Sequence, residues 1–260
     1  MRRFYVENIE GDTVIIDGSE AHHIKNVLRQ KIGDEVFLFD GKGNEYKAEI
    51  IEFLSFNSGP AVKLKIVSKT HKDIEPSVKI NLYQSLPRLK KFDFIVEKAT
   101  ELGVNKIIPV ISERVQLPKD VIQNPAKLAR WRKIALSAAK QCGRVVVPEV
   151  TEITKFHDAV VIASPESIGV NSAKQPKTET ISIIPWESEQ NTTLKKVLKT
   201  ANCQLSTVNL FIGPEGGFSE SEIELARQNG VVPVSLGKRI LRTETAPIVV
   251  IANLLYELEN

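Results

Sequence analysis

The pattern of apolar and polar positions divides the chain into two parts with different predicted architectures. Roughly the first 72 residues contain short runs of Val, Ile and Phe that are separated by Gly and Asn, a pattern typical of strands joined by turns. The predicted strands are 13–17, 35–40, 45–54 and 62–70. One helix is predicted among them, capped by Ser19, ended by Gly33 and buried through Ile24, Val27 and Leu28. This combination predicts a small β-barrel.

The pattern changes after residues 72–76, which are predicted to be a linker. Strands are predicted at 78–86 and 104–111, and a helix lies between them. The stripe of apolar residues that predicts this helix is Phe92, Ile95, Val96, Ala99 and Leu102. Because a strand–helix–strand order requires a crossover, it predicts a parallel sheet.

Further elements of the same kind follow. An amphipathic helix is predicted at 127–141, with Leu128, Trp131, Ala135, Ala138 and Ala139 facing inward. Ser219 and Glu222 have the spacing of a capping box, 231–235 is a predicted strand, and Pro247 suits the first turn of a last helix. The predicted division is a β-barrel domain at 1–72 and an α/β domain at 73–260.

Composition narrows the class of protein only slightly. The apolar fraction of 42% and charged fraction of 26% are ordinary for a globular protein and argue against a disordered, collagen-like or disulfide-scaffold protein. Cys142 and Cys203 are far apart, so buried, reduced thiols in a cytosolic protein are expected. We find no secretory signal and no apolar run long enough to span a bilayer, which predicts a soluble, cytoplasmic protein.

The net charge of +3 is mild, but it is unevenly distributed. Residues 121–148 contain no acidic residue and six cationic ones, namely Lys127, Arg130, Arg132, Lys133, Lys140 and Arg144. Cations grouped in this way can bind phosphates, although a solvated helix face is an equal alternative.

The segment Leu210-Phe-Ile-Gly-Pro-Glu-Gly-Gly-Phe-Ser219 predicts an apolar strand, a glycine loop and a capped helix. Glycines after a strand allow a ligand to approach the backbone and its N–H groups closely. The segment matches neither a P-loop nor the fingerprint of a dinucleotide site, and a tight structural turn is the alternative. A second loop at 234–246 follows the next strand, and its mixture of apolar residues with Thr and Arg suits an adenosyl-type ligand.

Several segments together resemble one protein family. They are IGPEGGFS, SLGKRILRTETA, RRFYV at 2–6, HHIKNVLRQKIGDEV at 22–36, EKATELGVNKIIPVISER at 97–114 and RWRKIALSAAKQCGR at 130–144. The chain is similar over nearly its whole length to the bacterial 16S ribosomal RNA uridine N3-methyltransferases of the RsmE type, which belong to the SPOUT class. The resemblance implies a PUA-like RNA-binding barrel followed by an α/β methyltransferase domain with a C-terminal trefoil knot.

The resemblance also implies a cofactor and partners. S-adenosylmethionine would bind at Ile212, Gly213, Glu215, Gly217, Leu236, Gly237, Ile240, Leu241, Arg242, Thr243, Thr245 and Ala246. The protein would be a homodimer without metal, and its substrate would be 16S rRNA in the assembled small ribosomal subunit. The polar stretch 164–180 is longer than the family usually has, which leaves open whether Pro185, Trp186 and Glu187 line the cofactor pocket.

Methylation of uridine N3 requires an unpaired base, an aligned methyl donor and loss of the N3 proton. Glu97, Glu215 and Glu244 are the candidate bases, of which Glu97 is favoured, and Arg144 or Arg242 could stabilise the anion or bind a phosphate. Each candidate has a structural alternative: Glu97 could pair with Arg114 or Lys98, Glu215 could hold its loop, Glu244 could cap the last helix, and Arg144 or Arg242 could form a salt bridge. The residues predicted to face RNA are Arg3, His22, Arg29, Arg88, Lys91, Arg114 and Arg144, with solvated surface as the alternative.

Two other functions remain compatible with the sequence. One is an RNA-binding or ribosome assembly factor that kept the fold without catalysis. The other is a SPOUT methyltransferase that acts on another RNA.

Overall fold

The computed structural model describes residues 3–57, 59–88, 91–118, 124–164, 179–200 and 205–259. The chain forms two compact units, one made of Met1–Glu75 with Ala139–Val147 and the other of Pro76–Ala138 with Pro148–Asn260. The predicted boundary at residue 73 therefore needs a correction, because 139–147 belong to the first unit. No local pattern marks this return of the chain, since it falls within one helix.

The first unit is built on a five-stranded sheet with the order β1-β3-β4-β5-β2. Its strands are β1 (Arg3–Tyr5), β2 (Thr13–Asp17), β3 (Glu35–Phe39), β4 (Asn44–Phe56) and β5 (Gly59–His71). All pairs are antiparallel except β1 with β3. In β2, Val14 and Ile16 are buried between exposed neighbours, as alternation requires of a half-buried strand. The four predicted strands are confirmed, whereas β1 is too short for its pattern to show.

The single helix of this unit differs from the prediction. Helix α1 (Gly18–His22) continues as a π-helical turn, His23–Val27, in which Leu28 N donates to His23 O at 2.9 Å. The wider turn changes the helical period, so Ile24 is buried while Val27 is 58% exposed. The expectation that Val27 faces the core is therefore wrong. Ser19 is not the cap either, since Asp17 occupies the N-cap position.

The second unit contains a seven-stranded sheet in which every pairing is parallel. Its strands are β6 (Lys79–Ser85), β7 (Lys106–Ile111), β8 (Glu149–Val150), β9 (Thr154–Lys155), β10 (Glu179–Pro185), β11 (Leu205–Ile212) and β12 (Val232–Val234). They follow the order β12-β10-β11-β6-β7-β8, and β9 also pairs with β7. The parallel sheet predicted from the strand–helix–strand order is confirmed.

Six helices of at least seven residues accompany this sheet in the described part of the chain. They are α2 (Lys91–Glu101), α3 (Pro125–Cys142), α4 (Phe156–Ile162), α5 (Leu194–Thr200), α6 (Glu220–Gln228) and α7 (Thr245–Leu258). Ser219 and Glu222 form the predicted capping box of α6, and Pro247 lies in the first turn of α7. Helices α4 and α5 were not predicted.

Aromatic side chains hold the helices against the sheet. Tyr83 of β6 stacks on Phe211 of β11 with 4.5 Å between ring centroids, and Phe156 and Phe218 extend the same apolar cluster. The ring centroids of Phe92 of α2 and Trp131 of α3 are 4.3 Å apart. Both rings are buried, which confirms that the two predicted apolar stripes face inward. Such burial is the main source of stability for a sheet covered by helices.

A chain of polar side chains crosses the sheet through the middle of β10 and β11 and the first half of β6. Asn105 donates to Asn81 (2.8 Å), Asn81 to Asn209 (2.9 Å) and Asn209 to Ser182 (3.1 Å). Ser182 in turn donates to Ala163 O at 2.6 Å. Since Ser182 and Asn209 are almost fully buried, each hydrogen bond satisfies a group that could not reach water. This asparagine ladder therefore favours one order and register of β10, β11 and β6.

We predict that Asn209→Ala lowers the free energy of unfolding by about 1–3 kcal/mol, because it leaves the amide of Asn81 without its acceptor inside the sheet. Urea unfolding followed by circular dichroism measures the change. The matched control is Asn191→Ala, an exposed asparagine whose side chain makes no hydrogen bond to another described residue. Equal stability of the two variants would contradict a structural role for the ladder.

Candidate active site at the carboxyl ends of the parallel strands

The two loops singled out in the sequence lie at one edge of the sheet. Because β6, β10, β11 and β12 are parallel, their carboxyl ends open onto the same side. The glycine loop 213–219 follows β11, and the segment 235–244 follows β12. Ligands of open α/β sheets bind at this edge.

Glycine is required at two positions of the glycine loop. A Cβ on Gly213 would lie 3.3 Å from both the Cα of Gly217 and the ring of Phe218. Gly217 has a φ of +66°, and a Cβ there would lie 2.7 Å from Oε1 of Glu187. The loop is therefore a tight turn, as the structural alternative proposed, and it also brings bare backbone to the edge of the sheet.

The two loops are joined by one threonine. The hydroxyl of Thr243 donates to Gly213 O at 2.6 Å, and it accepts a hydrogen bond from Nε2 of Gln84 at 3.2 Å. Gln84 is fully buried at the end of β6 and also donates to Ser85 O at 3.0 Å. We call this arrangement, Gln84–Thr243–Gly213, the threonine clasp. The sequence predictions missed Gln84, although a polar residue in the apolar run INLYQSL could have indicated it.

The segment after β12 presents a different surface. Leu236 and Leu241 are half-buried, Ile240 is 84% exposed, and Gly237 has a φ of +104° with open space where a Cβ would be. The Arg242 side chain is exposed, and none of the described residues pairs with it. Ile212 and Ala246 are buried at the ends of β11 and α7, and Thr245 is exposed.

Three buried polar atoms near this edge have no hydrogen-bond partner among the described residues. They are Oε1 of Gln84, Oγ of Ser85 and Oγ of Ser112, which lie at or just beyond the ends of β6 and β7. Unpaired buried groups are costly unless a ligand or water satisfies them. Bare glycine backbone, half-buried leucines and unpaired polar atoms together suit a ligand with both an apolar ring and polar groups, such as an adenosyl compound.

The carboxylate of Glu215 holds the neighbouring loop. It accepts hydrogen bonds from Arg88 N at 3.1 and 3.3 Å and pairs with Lys91 Nζ at 3.1 Å. Burial would raise the pKa of Glu215, but these hydrogen bonds outweigh it and lower that pKa. The hydrogen bond to Glu215 in turn raises the pKa of Lys91. Lys91 also lies 3.3 Å from Glu244, which makes no capping hydrogen bond to α7, so the capping alternative for Glu244 is wrong.

Two further segments support the glycine loop. Arg114 Nη1 donates to Gly216 O at 2.9 Å, and the neighbouring Glu113 accepts the hydroxyl of Ser219 at 2.6 Å. This hydrogen bond and a second one from Ser221 lower the pKa of Glu113.

Glu187, which follows β10, places its carboxylate against Gly217. Trp186 packs on the apolar cluster beneath, whereas 165–178 of the polar stretch 164–180 lie outside the described residues.

The structure does not support Glu97 as the base. Its carboxylate is about half exposed on α2 and pairs with Lys98 at 2.8 Å. The hydrogen bonds that Lys98 donates, first to Glu101 and then to Glu97, raise the pKa of Lys98 to about 12. None of the described contacts of Glu97 reaches either loop, so the alternative of a Lys98 pair holds.

Arg3 and Arg144 also differ from expectation. The guanidinium of Arg3 is buried against Glu45 at 2.8 Å and lies over the ring of Phe39. Arg144 is 6% exposed and forms an ion pair with Glu75. Since both guanidinium groups hold the first unit together, the structure does not support an RNA-facing role for either.

The other predicted RNA-facing residues remain accessible. His22, Arg29, Arg88 and Arg114 are exposed, and Arg29 has a φ of +52°, which is unusual for a residue other than glycine. Lys91 is accessible but bridges Glu215 and Glu244.

The acid-free stretch 121–148 is not a uniform basic surface, because Arg130 binds Asp93 at 2.6 Å and Lys140 binds Glu20.

The cysteines, the potential metal ligands and the apolar helices were also compared with expectation. Cys142 is exposed, so the expectation of a buried thiol is wrong there, and Cys203 lies outside the described residues. In the part of the chain that the structure describes, we find no cluster of three potential metal ligands. The same part contains no helix both long and apolar enough to cross a membrane.

Comparison with known proteins identifies similar chains over the full length. A model of the RNA methyltransferase domain matches residues 74–255, and a model of the RNA methyltransferase PUA domain matches 16–53. A Bacillus subtilis protein named ribosomal RNA small subunit methyltransferase E is 32% identical over 100% of this chain and 98% of its own length. A protein of the same name from Buchnera aphidicola is 34% identical over 93% of this chain and 89% of its own.

Two solved structures are similar as well. Ribosomal RNA small subunit methyltransferase E from Neisseria gonorrhoeae, bound to S-adenosylmethionine, has a TM-score of 0.80 and 32% identity, covering 98% of this chain and 97% of that one. A methyltransferase from Legionella pneumophila, in complex with the same cofactor, has a TM-score of 0.79 and 30% identity, covering 98% and 96%.

We predict that Glu215→Gln destabilises the protein by about 1 kcal/mol at neutral pH and by less in acid. A lowered pKa means that the carboxylate contributes stability above its unfolded-state pKa, near 4.5, and that this contribution disappears as the pH falls through the lower folded value. Urea unfolding of both proteins from pH 7 to pH 4 measures the difference. The control is Glu259→Gln, an exposed acid without a described partner, for which we expect no pH-dependent difference. A constant difference for Glu215→Gln would contradict the ion-pair role.

Proposed function

We propose, because this chain belongs to the ribosomal RNA small subunit methyltransferase E family, that it transfers the methyl group of S-adenosylmethionine to N3 of one uridine in 16S rRNA. The family of this chain, its PUA-like domain and its α/β fold confirm the predictions made from the sequence motifs. The observation that carries the assignment is the threonine clasp, which joins the glycine loop to the segment after β12. The proposal includes the uridine N3 target, the assembled small subunit as substrate, a homodimer, the C-terminal knot and a cytoplasmic location.

The cofactor site follows from the two clasped loops. The backbone at Gly213, Gly217 and Gly237 would approach the cofactor, and Leu236 and Leu241 would pack against its adenine ring. The cofactor supplies a methyl group activated by a sulfonium. The Thr243 hydroxyl is engaged with Gly213, and the Glu215 carboxylate is engaged with Arg88 and Lys91, so these two side chains position the loops. Both residues would then meet the cofactor through their backbone. Of the other residues predicted to bind the cofactor, Ile240 and Thr245 are exposed and accessible to it, whereas Ile212 and Ala246 are buried and would support the site from beneath.

The chemistry depends on orientation and on charge. Methylation at N3 releases the N3 proton, and negative charge develops on the uracil ring as that proton leaves. Arg242 is exposed beside the clasp, and no described residue neutralises its guanidinium, so it can stabilise this charge. The carboxylates of Glu97 and Glu215 already accept hydrogen bonds from lysines. We therefore assign the proton to water at the open edge of the site, and to neither carboxylate.

RNA would be held by cations outside the cofactor loops. His22 and Arg29 are exposed on the first unit, and Arg88 and Arg114 are exposed on the second. Phosphate contacts of this kind fix the position of an RNA, while base contacts select the target.

The direct test is transfer of a labelled methyl group to small ribosomal subunits from a strain that lacks the gene, with nucleoside mass spectrometry to identify the product. We expect 3-methyluridine from the wild-type protein. Arg242→Ala should lower the transfer rate constant about 10²-fold, as for other single groups that stabilise charge, with little change in cofactor affinity. Subunit binding without transfer would instead support an assembly factor, and another methylated nucleoside would support a different target.

The clasp generates a second prediction. Thr243→Val keeps the shape but removes the hydroxyl, which leaves Gly213 O without its donor and removes one of the two described acceptors of Gln84 Nε2. We expect the dissociation constant for S-adenosylmethionine to rise about 5- to 30-fold, equivalent to about 1–2 kcal/mol. Thr243→Ser keeps the hydroxyl and should stay within about 3-fold of wild type. Isothermal titration calorimetry measures both, and equal weakening of the two variants would contradict the clasp.

A further inference from the structure

A polar cleft lies beside the glycine loop. It has a volume of about 240 Å³ and is lined by Arg88, Arg114, Gln116, Glu215 and Gly216. All five residues belong to the second unit, and the four that carry side chains are exposed. We call it the arginine cleft.

The arginine cleft carries an excess of positive charge. Its one carboxylate, Glu215, is already satisfied by Arg88 N and by Lys91 Nζ. Arg88 and Arg114 form no ion pair within 4.0 Å with any acid in the described part of the chain, although the charge of Arg114 acts on Glu113 from farther away. Arg114 uses one N–H group on Gly216 O, which fixes its guanidinium at the rim. Two arginines and the amide of Gln116 thus offer donors to an oxyanion.

The position of the cleft separates it from the proposed cofactor pocket. The cofactor would lie between the glycine loop and residues 236–241, and none of the described residues that line the cleft comes from 236–241. Gly216 and Glu215 line the cleft and belong to the glycine loop, against which the cofactor would lie. An oxyanion in the arginine cleft would therefore lie next to the cofactor.

We propose that the arginine cleft binds one backbone phosphate of the RNA strand that carries the target uridine, which rests on the proposed function. An open, solvent-facing cleft can admit a polymer, and guanidinium groups suit phosphate oxygens in a bidentate arrangement. Held there, the phosphate sets the distance between its nucleotide and the methyl donor. The carboxylate of the cofactor is the other source of an oxyanion at this edge.

Arg88→Gln is the clean variant, because the backbone N–H of Arg88 holds Glu215 and its side chain makes no described contact. The experiment measures binding of the full-length protein to small subunits that lack the modification, across a series of salt concentrations. We expect the dissociation constant to rise about 3- to 10-fold and the slope of log affinity against log salt to fall by about 0.7–0.9, as for the loss of one phosphate contact. Calorimetric affinity for S-adenosylmethionine should stay unchanged.

Arg114→Gln should weaken subunit binding in the same way, and it also removes the contact with Gly216. Arg114→Lys, which keeps the charge, should restore most of the salt dependence. The matched control is Lys195→Gln, an exposed cation on α5 outside the cleft, for which we expect the wild-type slope.

The other results overturn the phosphate site, the proposed function or both, and the measurements distinguish these cases. An unchanged slope for Arg88→Gln would show that no phosphate binds there, even if the wild-type protein methylates uridine. A loss of cofactor affinity with normal subunit binding would assign the cleft to the cofactor carboxylate. Wild-type binding without methyl transfer would refute the proposed function alone, because the salt dependence would still test the cleft. Absence of any wild-type subunit binding would overturn both.

Discussion

The hydrogen bond from the Thr243 hydroxyl to Gly213 O is the contact on which the candidate site depends. Its two residues follow different strands, and Gln84 connects them to a third. Three chain segments distant in sequence are thereby held at one edge of the sheet. Because Thr243 and Gln84 are buried, water cannot easily replace either partner, and the loops keep their spacing without a ligand. A site that is formed in advance does not have to order its loops on binding.

The asparagine ladder fixes the same strands closer to their middle. It links Asn81 of β6 with Asn209 of β11 and, through Ser182, with β10. A shift of one residue in register would separate these partners and would reverse the faces of a strand. The ladder thus favours the register that brings Gln84 opposite Ile212, next to Gly213. The geometry at the carboxyl ends therefore depends on polar contacts made inside the sheet.

Local patterns predicted most of the elements but not the partners of charged residues. Short apolar runs indicated β2 and the end of β11, and the Ser219–Glu222 spacing indicated the cap of α6, since each depends on residues near in sequence. The acid-free stretch failed as a guide to charge, because Arg130 and Arg144 are neutralised by Asp93 and Glu75 from other segments. Gln84 was missed for the same reason, since its partner Thr243 is 159 residues away. The sequence motifs indicated the glycine loop, but only the fold shows which side chains support that loop.

The carboxylates around the site also limit its chemistry. Glu215 shares a proton donor with Glu244, and Glu97 shares Lys98 with Glu101. A carboxylate that accepts a hydrogen bond from an ammonium group is a weaker proton acceptor than a free one, because the ion pair is lost on protonation. Neither Glu97 nor Glu215 is therefore suited to strong general-base catalysis. This edge of the sheet offers a glycine loop with little side-chain cover, arginines that no described acid neutralises and tightly spaced loops, which favour catalysis by orientation and by stabilisation of negative charge.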